Sequence, residues 1–266
     1  MYPFEYVKAQ SLKQAVEFLA ANPDARPLSG GMTLIPTLKA RLAQPTHLID
    51  IGQLAELRGI EQKGSTLVIG AGTRHAEVCA SGVVRKALPA LAYLAERIGD
   101  PQVRNLGTMG GSIANNDPAA DYPAAVLGLN ATIVTNTREI AADEFFQGMF
   151  ATALEPGELI TRIAFPLPKR AAYEKFPHPA SGYAMAGVFV AETADGVRVA
   201  VTGAGPGVFR WAEAEAALAA KLSADALGAL TMASDELNED MHGSREYRAQ
   251  LVKVMAQRAV AKMVRS

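Results

Sequence analysis

The spacing of apolar residues predicts short helices and strands in mixed order from the first residues onward. Apolar positions at helical spacing in residues 12–21 predict an amphipathic helix, and Ser11 before them is a suitable N-cap. The apolar run at residues 47–51 predicts a buried strand. Alternating residues on either side of Gly64 predict a β-hairpin. These patterns indicate an α+β fold.

The rest of the chain contains further helix and strand patterns and one stretch, rich in proline and basic residues, that differs in composition. Residues 182–205 predict two antiparallel strands joined by an Asp195-Gly196 turn. Pro166, Pro168 and the basic pair after them indicate a domain boundary. The further predicted strands are 25–29, 131–136 and 159–166, and the further predicted helices are one opening near residue 34 and 74–80, 83–97, 123–129, 212–221, 224–238 and 244–264.

Composition and charge exclude several classes of function. The formal net charge of −1 over 266 residues provides no electrostatic footprint for nucleic acid or an anionic membrane. No stretch of 18 apolar residues predicts a membrane span, and no signal peptide is evident, so we expect a cytoplasmic protein. With one cysteine and four scattered histidines, we expect no bound metal in this chain. Redox chemistry would therefore need an organic carrier.

The first candidate for binding chemistry is "SGGMT", residues 29–33, which we call the first glycine segment. It lies between a predicted strand and a predicted helix. Paired glycines let backbone N–H groups approach an anion, and a helix N-terminus favours negative charge. No Walker lysine follows, which argues against nucleotide hydrolysis. The alternative is a tight turn without a ligand.

The second candidate lies in "RNLGTMGGSIANNDPAADYP", residues 104–123, which has no apolar periodicity. Its "GTMGGS" portion, residues 107–112, is the second glycine segment. Two such segments could hold the diphosphate of a dinucleotide from both sides, and the polar residues that follow could hold its sugar-like chain. Asp117-Pro118 is also compatible with a simple helix N-cap. A third glycine run, "TGAGPG" at residues 202–207, has the wrong spacing for a dinucleotide fingerprint and predicts a turn.

Four stretches occur in order across almost the entire chain: "SGGMTLIPTLKARLAQPTHLIDI", "LVIGAGTRHAEV", "IGDPQVRNLGTMGGSIANNDPAADYPA" and "YEKFPHPASGYAMAGV". Together they resemble the FAD-binding medium subunit of the molybdenum hydroxylase family, of the xanthine dehydrogenase and carbon monoxide dehydrogenase type. The resemblance implies a two-subdomain FAD-binding fold of the vanillyl-alcohol-oxidase type in residues 1–170, with subdomains of about 1–57 and 58–170. It implies a small C-terminal domain, residues 171–266, with a three-stranded antiparallel sheet and helices.

The resemblance also implies a set of FAD-binding residues and no catalytic residue in this chain. The backbones of residues 29–33 and 108–112 would hold the pyrophosphate, while Asn115 and Asp121 would contact ribityl or ribose hydroxyls. Ile98 and Ile160 would pack on the adenine or the flavin, Lys175 would lie near the ring, and Tyr183 beside the isoalloxazine. The complete predicted set is Leu28, Ser29, Gly30, Gly31, Met32, Thr33, Leu34, Ile98, Gly107, Thr108, Gly110, Gly111, Ser112, Asn115, Asp121, Ile160, Lys175 and Tyr183.

For Tyr183 a role without FAD is also possible, and around Lys175 the sequence departs from that of the family. Tyr183 could instead be a core tyrosine on a strand. The "FPHP" after Lys175 replaces a more basic run in relatives. His75 follows the family pattern, but its interpretation is structural rather than catalytic.

The function implied is that of an electron-transfer subunit that binds FAD. The 2Fe–2S clusters and the molybdenum cofactor are expected on a small iron–sulfur subunit and a large molybdenum-cofactor subunit, in a dimer of heterotrimers. A single cysteine fits this division, since each cluster needs several thiolates. The alternatives are a standalone flavin reductase or oxidase with the same fold, and a scaffold that keeps the fold without flavin.

Overall fold

Three β-sheets, each covered by helices, follow one another along the chain in the computed structural model, which describes residues 1–265. Residue 266, the predicted end of the C-terminal domain, lies outside the described residues. The predicted α+β fold is confirmed, with an antiparallel sheet in the C-terminal part. In the part of the chain that the structure describes, no helix is both long and apolar enough to cross a membrane.

The first sheet is parallel and has three strands in the order β1-β3-β2. Helix α1 begins as predicted after Ser11, whose hydroxyl accepts the N–H of Gln14 at 3.2 Å. Buried apolar residues of this helix and of β3 form a small core of their own. Its elements are β1 (Glu5–Lys8), α1 (Leu12–Ala21), β2 (Arg26–Leu28), α2 (Leu34–Lys39) and β3 (His47–Asp50).

The second sheet is antiparallel and has five strands in the order β4-β5-β10-β6-β7. Six consecutive helices separate β5 from β6, and a small hairpin of β8 and β9 precedes β10. The elements are β4 (Ile60–Lys63), β5 (Thr66–Gly70), α3 (His75–Ala80), α4 (Gly82–Ala87), α5 (Pro89–Glu96), α6 (Pro101–Leu106), α7 (Met109–Asn115), α8 (Tyr122–Gly128), β6 (Thr132–Thr135), β7 (Glu139–Ala141), α9 (Ala142–Phe145), β8 (Phe146–Gly148), β9 (Ala151–Thr152) and β10 (Ile160–Pro166).

The third sheet is antiparallel and joins the two parts of the chain. Strand β12 is buried on both faces: Phe189 packs with helices of the second sheet, while Val188 and Val190 pack under the long C-terminal helix. Three long strands match the expected sheet, and a two-residue strand pairs at its edge. The elements are β11 (Arg170–Pro177), β12 (Ala184–Thr193), β13 (Gly196–Thr202), β14 (Phe209–Arg210), α10 (Ala212–Ala220) and α11 (Arg245–Arg265).

Two predicted helices differ from the structure. The helix predicted at 83–97 is divided into α4 and α5, because Leu88 leaves helical geometry and Pro89 begins the next helix. The helix predicted at 224–238 is wrong beyond a short 3-10 turn, Ala224–Leu227. The following residues are irregular, and the Asn238 N–H donates to the carbonyl of Ala204, a distant acceptor that no helix would use.

The stretch without apolar periodicity is more regular than the sequence indicates. It contains the end of α6, all of α7 and the start of α8. Helix α7 is short and rich in glycine, so tertiary hydrogen bonds rather than helix propensity support it. The second glycine segment is therefore the N-terminal part of a helix, and not a free loop.

Candidate cofactor-binding site

A cavity of about 670 Å³ is lined by residues of the first and second sheets, by helices α6 and α7, and by the turn between β11 and β12. Most of the predicted site residues lie at its wall. These are Ser29, Gly30, Gly31, Met32, Thr33, Leu34, Ile98, Gly107, Gly110, Gly111, Ser112, Asn115, Asp121, Ile160 and Tyr183. Leu28, Thr108 and Lys175 do not line it.

The first glycine segment lines this cavity and has unpaired backbone donors. Among the described residues, the N–H groups of Gly30, Gly31, Met32 and Thr33 have no backbone or side-chain acceptor. Gly31 has φ of +70°, a conformation that other residues rarely adopt. Leu28, at the end of β2, packs beneath Gly31 rather than at the cavity. Unpaired backbone N–H groups at a concave wall suit an anionic ligand.

The two glycine segments touch each other directly. A Cβ on Gly30 would overlap the backbone carbonyl of Leu106, so only glycine permits this approach. The hydroxyls of Ser29 and Thr108 lie 3.0 Å apart and share a hydrogen bond. Thr108 therefore supports the first segment from behind the cavity wall.

The second glycine segment uses its backbone donors within the protein. The N–H of Met109 donates to the carbonyl of Thr73 at 3.0 Å, and that of Gly110 to the carbonyl of Ala71 at 2.8 Å. The N–H groups of Gly111 and Ser112 donate to Thr108, which caps α7. A Cβ on Gly110 would overlap the side chain of Ala71, so this glycine permits helix-to-strand packing. The segment thus offers the cavity an exposed Gly111 and the half-buried Ser112 rather than a row of free N–H groups.

His75 supports the second segment and is buried at the cavity wall. Its backbone N–H donates to the carbonyl of Gly107 at 3.0 Å, and its ring packs against Tyr122 with centroids 5.3 Å apart. Burial, and secondarily the Arg104 charge, lowers the pKa of His75 from 6.5 to about 4. The imidazole is therefore neutral near pH 7, in keeping with a structural interpretation.

Asp121 and Lys175 form a buried ion pair at one edge of the cavity. The Lys175 ammonium lies 2.9 Å from the Asp121 carboxylate, which also accepts the hydroxyl of Tyr173. Burial raises the pKa of Asp121, and the Lys175 charge opposes that shift. The Lys175 side chain is 1% exposed and does not itself line the cavity, so its expected place near the ring stays a prediction.

The remaining predicted residues surround the cavity from several elements. Ile160 at the start of β10 is buried, while Ile98 and Asn115 are half-buried. Tyr183 precedes β12 and is 47% exposed, which excludes the alternative of a core tyrosine. Burial, followed by Asp117 and Asp121, raises the pKa of the Tyr183 phenol, which therefore stays protonated near neutral pH.

Several residues at the cavity wall were not in the predicted set. Ala71 and Gly72 follow β5 in a Gly-Ala-Gly run, a signal the sequence did contain. Glu158 belongs to a loop held by a bidentate Arg138, and that hydrogen bond lowers the pKa of Glu158 to about 2. The residues missed are Arg26, Pro27, Ile51, Leu57, Ala71, Gly72, His75, Gly99, Asp100, Val103, Ala114, Asp117, Ala120, Leu154, Glu158, Leu159, Ala180, Ser181 and Gly182.

The third glycine run, residues 202–207, is a packed turn, as predicted. Gly203 has φ of +83° and donates its N–H to the carbonyl of Pro118 at 2.8 Å. The carbonyls of Gly203 and Gly205 accept from Arg248 and Asn238. The turn does not line the large cavity.

Two family models together match nearly all of the chain. The FAD binding domain in molybdopterin dehydrogenase matches residues 2–168. The CO dehydrogenase flavoprotein C-terminal domain matches residues 171–263.

Curated relatives and solved structures agree with these matches. The chain is 37% identical to the glyceraldehyde dehydrogenase medium chain of Sulfolobus acidocaldarius, over 97% of this chain and 98% of that one. It is also 37% identical to the carbon monoxide dehydrogenase medium chain of Hydrogenophaga pseudoflava, over 97% and 96%. Its fold matches a chain of reconstituted CO dehydrogenase from Oligotropha carboxidovorans with a TM-score of 0.91 and 35% identity, over 99% of both chains.

Proposed function

The chain belongs to the family of FAD-binding medium subunits of carbon monoxide dehydrogenase and related molybdenum hydroxylases, and from that premise we propose how it works. It binds FAD in the cavity of about 670 Å³ and transfers electrons from iron–sulfur clusters on a partner subunit to an external acceptor. The domains proposed are residues 1–170 for FAD and residues 171–266 for the C-terminal part.

The observation that carries this proposal is the row of unpaired N–H groups at Gly30, Gly31, Met32 and Thr33. Unpaired backbone N–H groups on residues that line a cavity suit the pyrophosphate of FAD, and they do so without a lysine. Ser112 and Asn115 would hold hydroxyls of the ribityl chain or the ribose. Ile98 and Ile160 would pack on ring faces, and Tyr183 would cover the isoalloxazine at the open side of the cavity.

Bound FAD would supply the redox chemistry by accepting and releasing one or two electrons. The protein would bind it, orient it and limit solvent access to it. His75 stays neutral beside Gly107 and adds no charge near the pyrophosphate. Asp121 is neutralised by Lys175, so its charge is balanced inside the protein before the cofactor binds.

The partners proposed are a small subunit that carries 2Fe–2S clusters and a large subunit that carries the molybdenum cofactor, in a dimer of heterotrimers in the cytoplasm. Cluster ligation needs several thiolates, and Cys79 is the one cysteine of the sequence. Relatives that carry the names medium chain and medium subunit support a subunit role.

The C-terminal domain supports an electron-transfer subunit better than a standalone reductase. Its candidate acid–base groups face other residues: Glu192 pairs with Arg170 at 2.9 Å, and Asp195 lies in the turn between β12 and β13. Neither these two nor Glu213 lines the cavity. The substrate would then be oxidised on the large subunit.

Purification of the chain alone and with its partners tests the proposal. We expect a yellow protein that releases one FAD and no FMN on denaturation, and that does not oxidise carbon monoxide, aldehydes or purines by itself. Release of FMN, or a colourless protein that FAD does not reconstitute, would contradict it. Turnover of such a substrate by the homogeneous, metal-free chain would favour the standalone enzyme.

A further inference from the structure

We infer that Lys175 is a positioning residue that holds Tyr183 against the flavin by tying three walls of the cavity together, without contacting the flavin itself. This inference rests on the proposed function, since it concerns the geometry of the same site. It replaces the expectation that Lys175 lies near the ring.

The Lys175 ammonium is saturated by three protein acceptors. Its Nζ atom lies 2.8 Å from the carbonyl oxygen of Arg97, 2.9 Å from that of Gly182 and 2.9 Å from an oxygen of Asp121. An ammonium has three N–H donors, so none remains for a ligand. The 1% exposure of this side chain agrees with that count.

Each acceptor belongs to a different wall of the cavity. The Arg97 carbonyl directly precedes Ile98 and Gly99, which line one side. Asp121 is the N-cap residue of α8 and lines a second side of the cavity. The Gly182 carbonyl directly precedes Tyr183. One buried cation thus sets how far Tyr183 stands from the wall that contains Ile98.

The turn that carries Tyr183 has hydrogen bonds of its own. Beside Lys175, it contacts the rest of the protein through the His178 ring, 4.4 Å from the ring of His242, and through the N–H of the residue after Tyr183, which donates to the carbonyl of Ala119 at 3.4 Å. The N–H of His178 donates to the carbonyl of Tyr183, and the N–H of Gly182 donates to the carbonyl of His178. These bonds give the turn a shape but do not attach it to the cavity. Lys175 supplies an attachment, because its hydrogen bond to Gly182 joins the turn to β11 and to the end of α5.

Because Lys175 pairs with Asp121, replacing Lys175 alone would leave a buried, uncompensated carboxylate and destabilise the protein. A buried carboxylate that loses its cation is strongly destabilised, whereas removal of both charges can be nearly neutral. The pair Lys175→Met with Asp121→Asn therefore separates loss of the tie from exposure of an uncompensated charge.

The test is the fluorescence and visible absorption of FAD bound to the purified protein, since an aromatic ring against a flavin quenches its emission. The variants are Lys175→Met, Lys175→Met with Asp121→Asn, Tyr183→Ala and the combination of Lys175→Met with Tyr183→Ala. Lys169→Met, at an exposed lysine just before β11, is the matched control.

We expect Lys175→Met to raise the fluorescence per bound FAD by at least half of the rise in Tyr183→Ala, with Lys169→Met unchanged. The combined variant should emit no more than Tyr183→Ala alone, because Lys175 acts through Tyr183. Additive changes would mean that Lys175 affects the ring directly, and would overturn the inference. So would FAD-loaded Lys175→Met with unchanged emission, or unchanged emission in Tyr183→Ala.

If Lys175→Met does not fold, the variant that lacks both the Lys175 and the Asp121 charge still tests the inference. Lys175→Met with Asp121→Asn should fold, bind FAD and show the same raised emission. If that variant also fails to fold, Lys175 serves folding rather than positioning and the inference is wrong. A wild-type protein that holds no FAD would instead refute the proposed function.

Discussion

The two glycine segments look alike in the sequence but use their backbone donors differently. In the first segment, the N–H groups of residues 30–33 have no acceptor among the described residues, and these residues line the cavity. In the second, the N–H groups of residues 109–112 bond to Thr73, Ala71 and Thr108. The first segment therefore leaves its backbone donors available to a ligand, whereas the second uses its donors to fix the start of α7.

Each segment also contains a glycine that close packing of the chain requires. Gly30 lets one segment lie directly on the other, since a Cβ there would overlap the carbonyl of Leu106. Gly110 lets α7 approach Ala71 at the end of β5. A pair of glycines is thus compatible with a ligand contact or with chain packing, and the hydrogen-bond partners of the neighbouring N–H groups distinguish the two.

The largest expected effect is at Gly30. Gly30→Ala forces the first segment away from Leu106 and misplaces its donors, at a cost of about 3 kcal/mol, or roughly a hundredfold in the FAD dissociation constant. FAD titration of the apoprotein measures it. Gly82→Ala is the control, because a Cβ at Gly82 meets no atom within 4 Å. If Gly30→Ala bound FAD with wild-type affinity, the first segment would not be the one that holds the cofactor.

The next largest effect is a pH dependence of stability caused by His75, which supports the second segment. Burial lowers the pKa of His75 from 6.5, its value in an unfolded chain, to about 4 in the folded protein. Between pH 6.5 and pH 4 the unfolded state therefore binds more protons at this residue than the folded state does. Stability therefore falls as the pH drops through this window, by about 2 kcal/mol between pH 7 and pH 5. Urea unfolding at several pH values measures this.

The control for this prediction is His75→Gln, which cannot titrate. Its free energy of unfolding should fall less steeply than that of the wild type over the same pH range. Equal slopes in the two proteins would show that His75 does not link the second segment to pH.

The smallest expected effect is at Gly110. Gly110→Ala should lower the free energy of unfolding by about 1–2 kcal/mol, because α7 must move from Ala71, with a smaller loss of FAD affinity than in Gly30→Ala. Gly82→Ala is again the control, since a Cβ at Gly82 meets no atom within 4 Å. If Gly110→Ala lost FAD while its urea midpoint stayed unchanged, the second segment would be a binding loop like the first.

The sequence by itself determined the order of most elements and the position of both glycine segments. Helix α1, β3, the β4–β5 hairpin and the β12–β13 pair follow from local spacing, capping and turn chemistry. The ordered motifs also identified the family, which the family models confirm. These features are local in the chain, so short-range physics is sufficient to predict them.

The tertiary structure alone decided how those residues are used. Helix α7 forms because carbonyls at residues 71 and 73 accept its first N–H groups, and no local pattern announces acceptors that far away. Lys175 turns inward because Asp121 and two distant carbonyls solvate its charge. Tyr183 remains half-exposed because the turn before β12 ends at the cavity. Hydrogen bonds and ion pairs between residues far apart in sequence depend on which elements pack together after folding. That packing is set by the whole chain, so a local pattern cannot predict them.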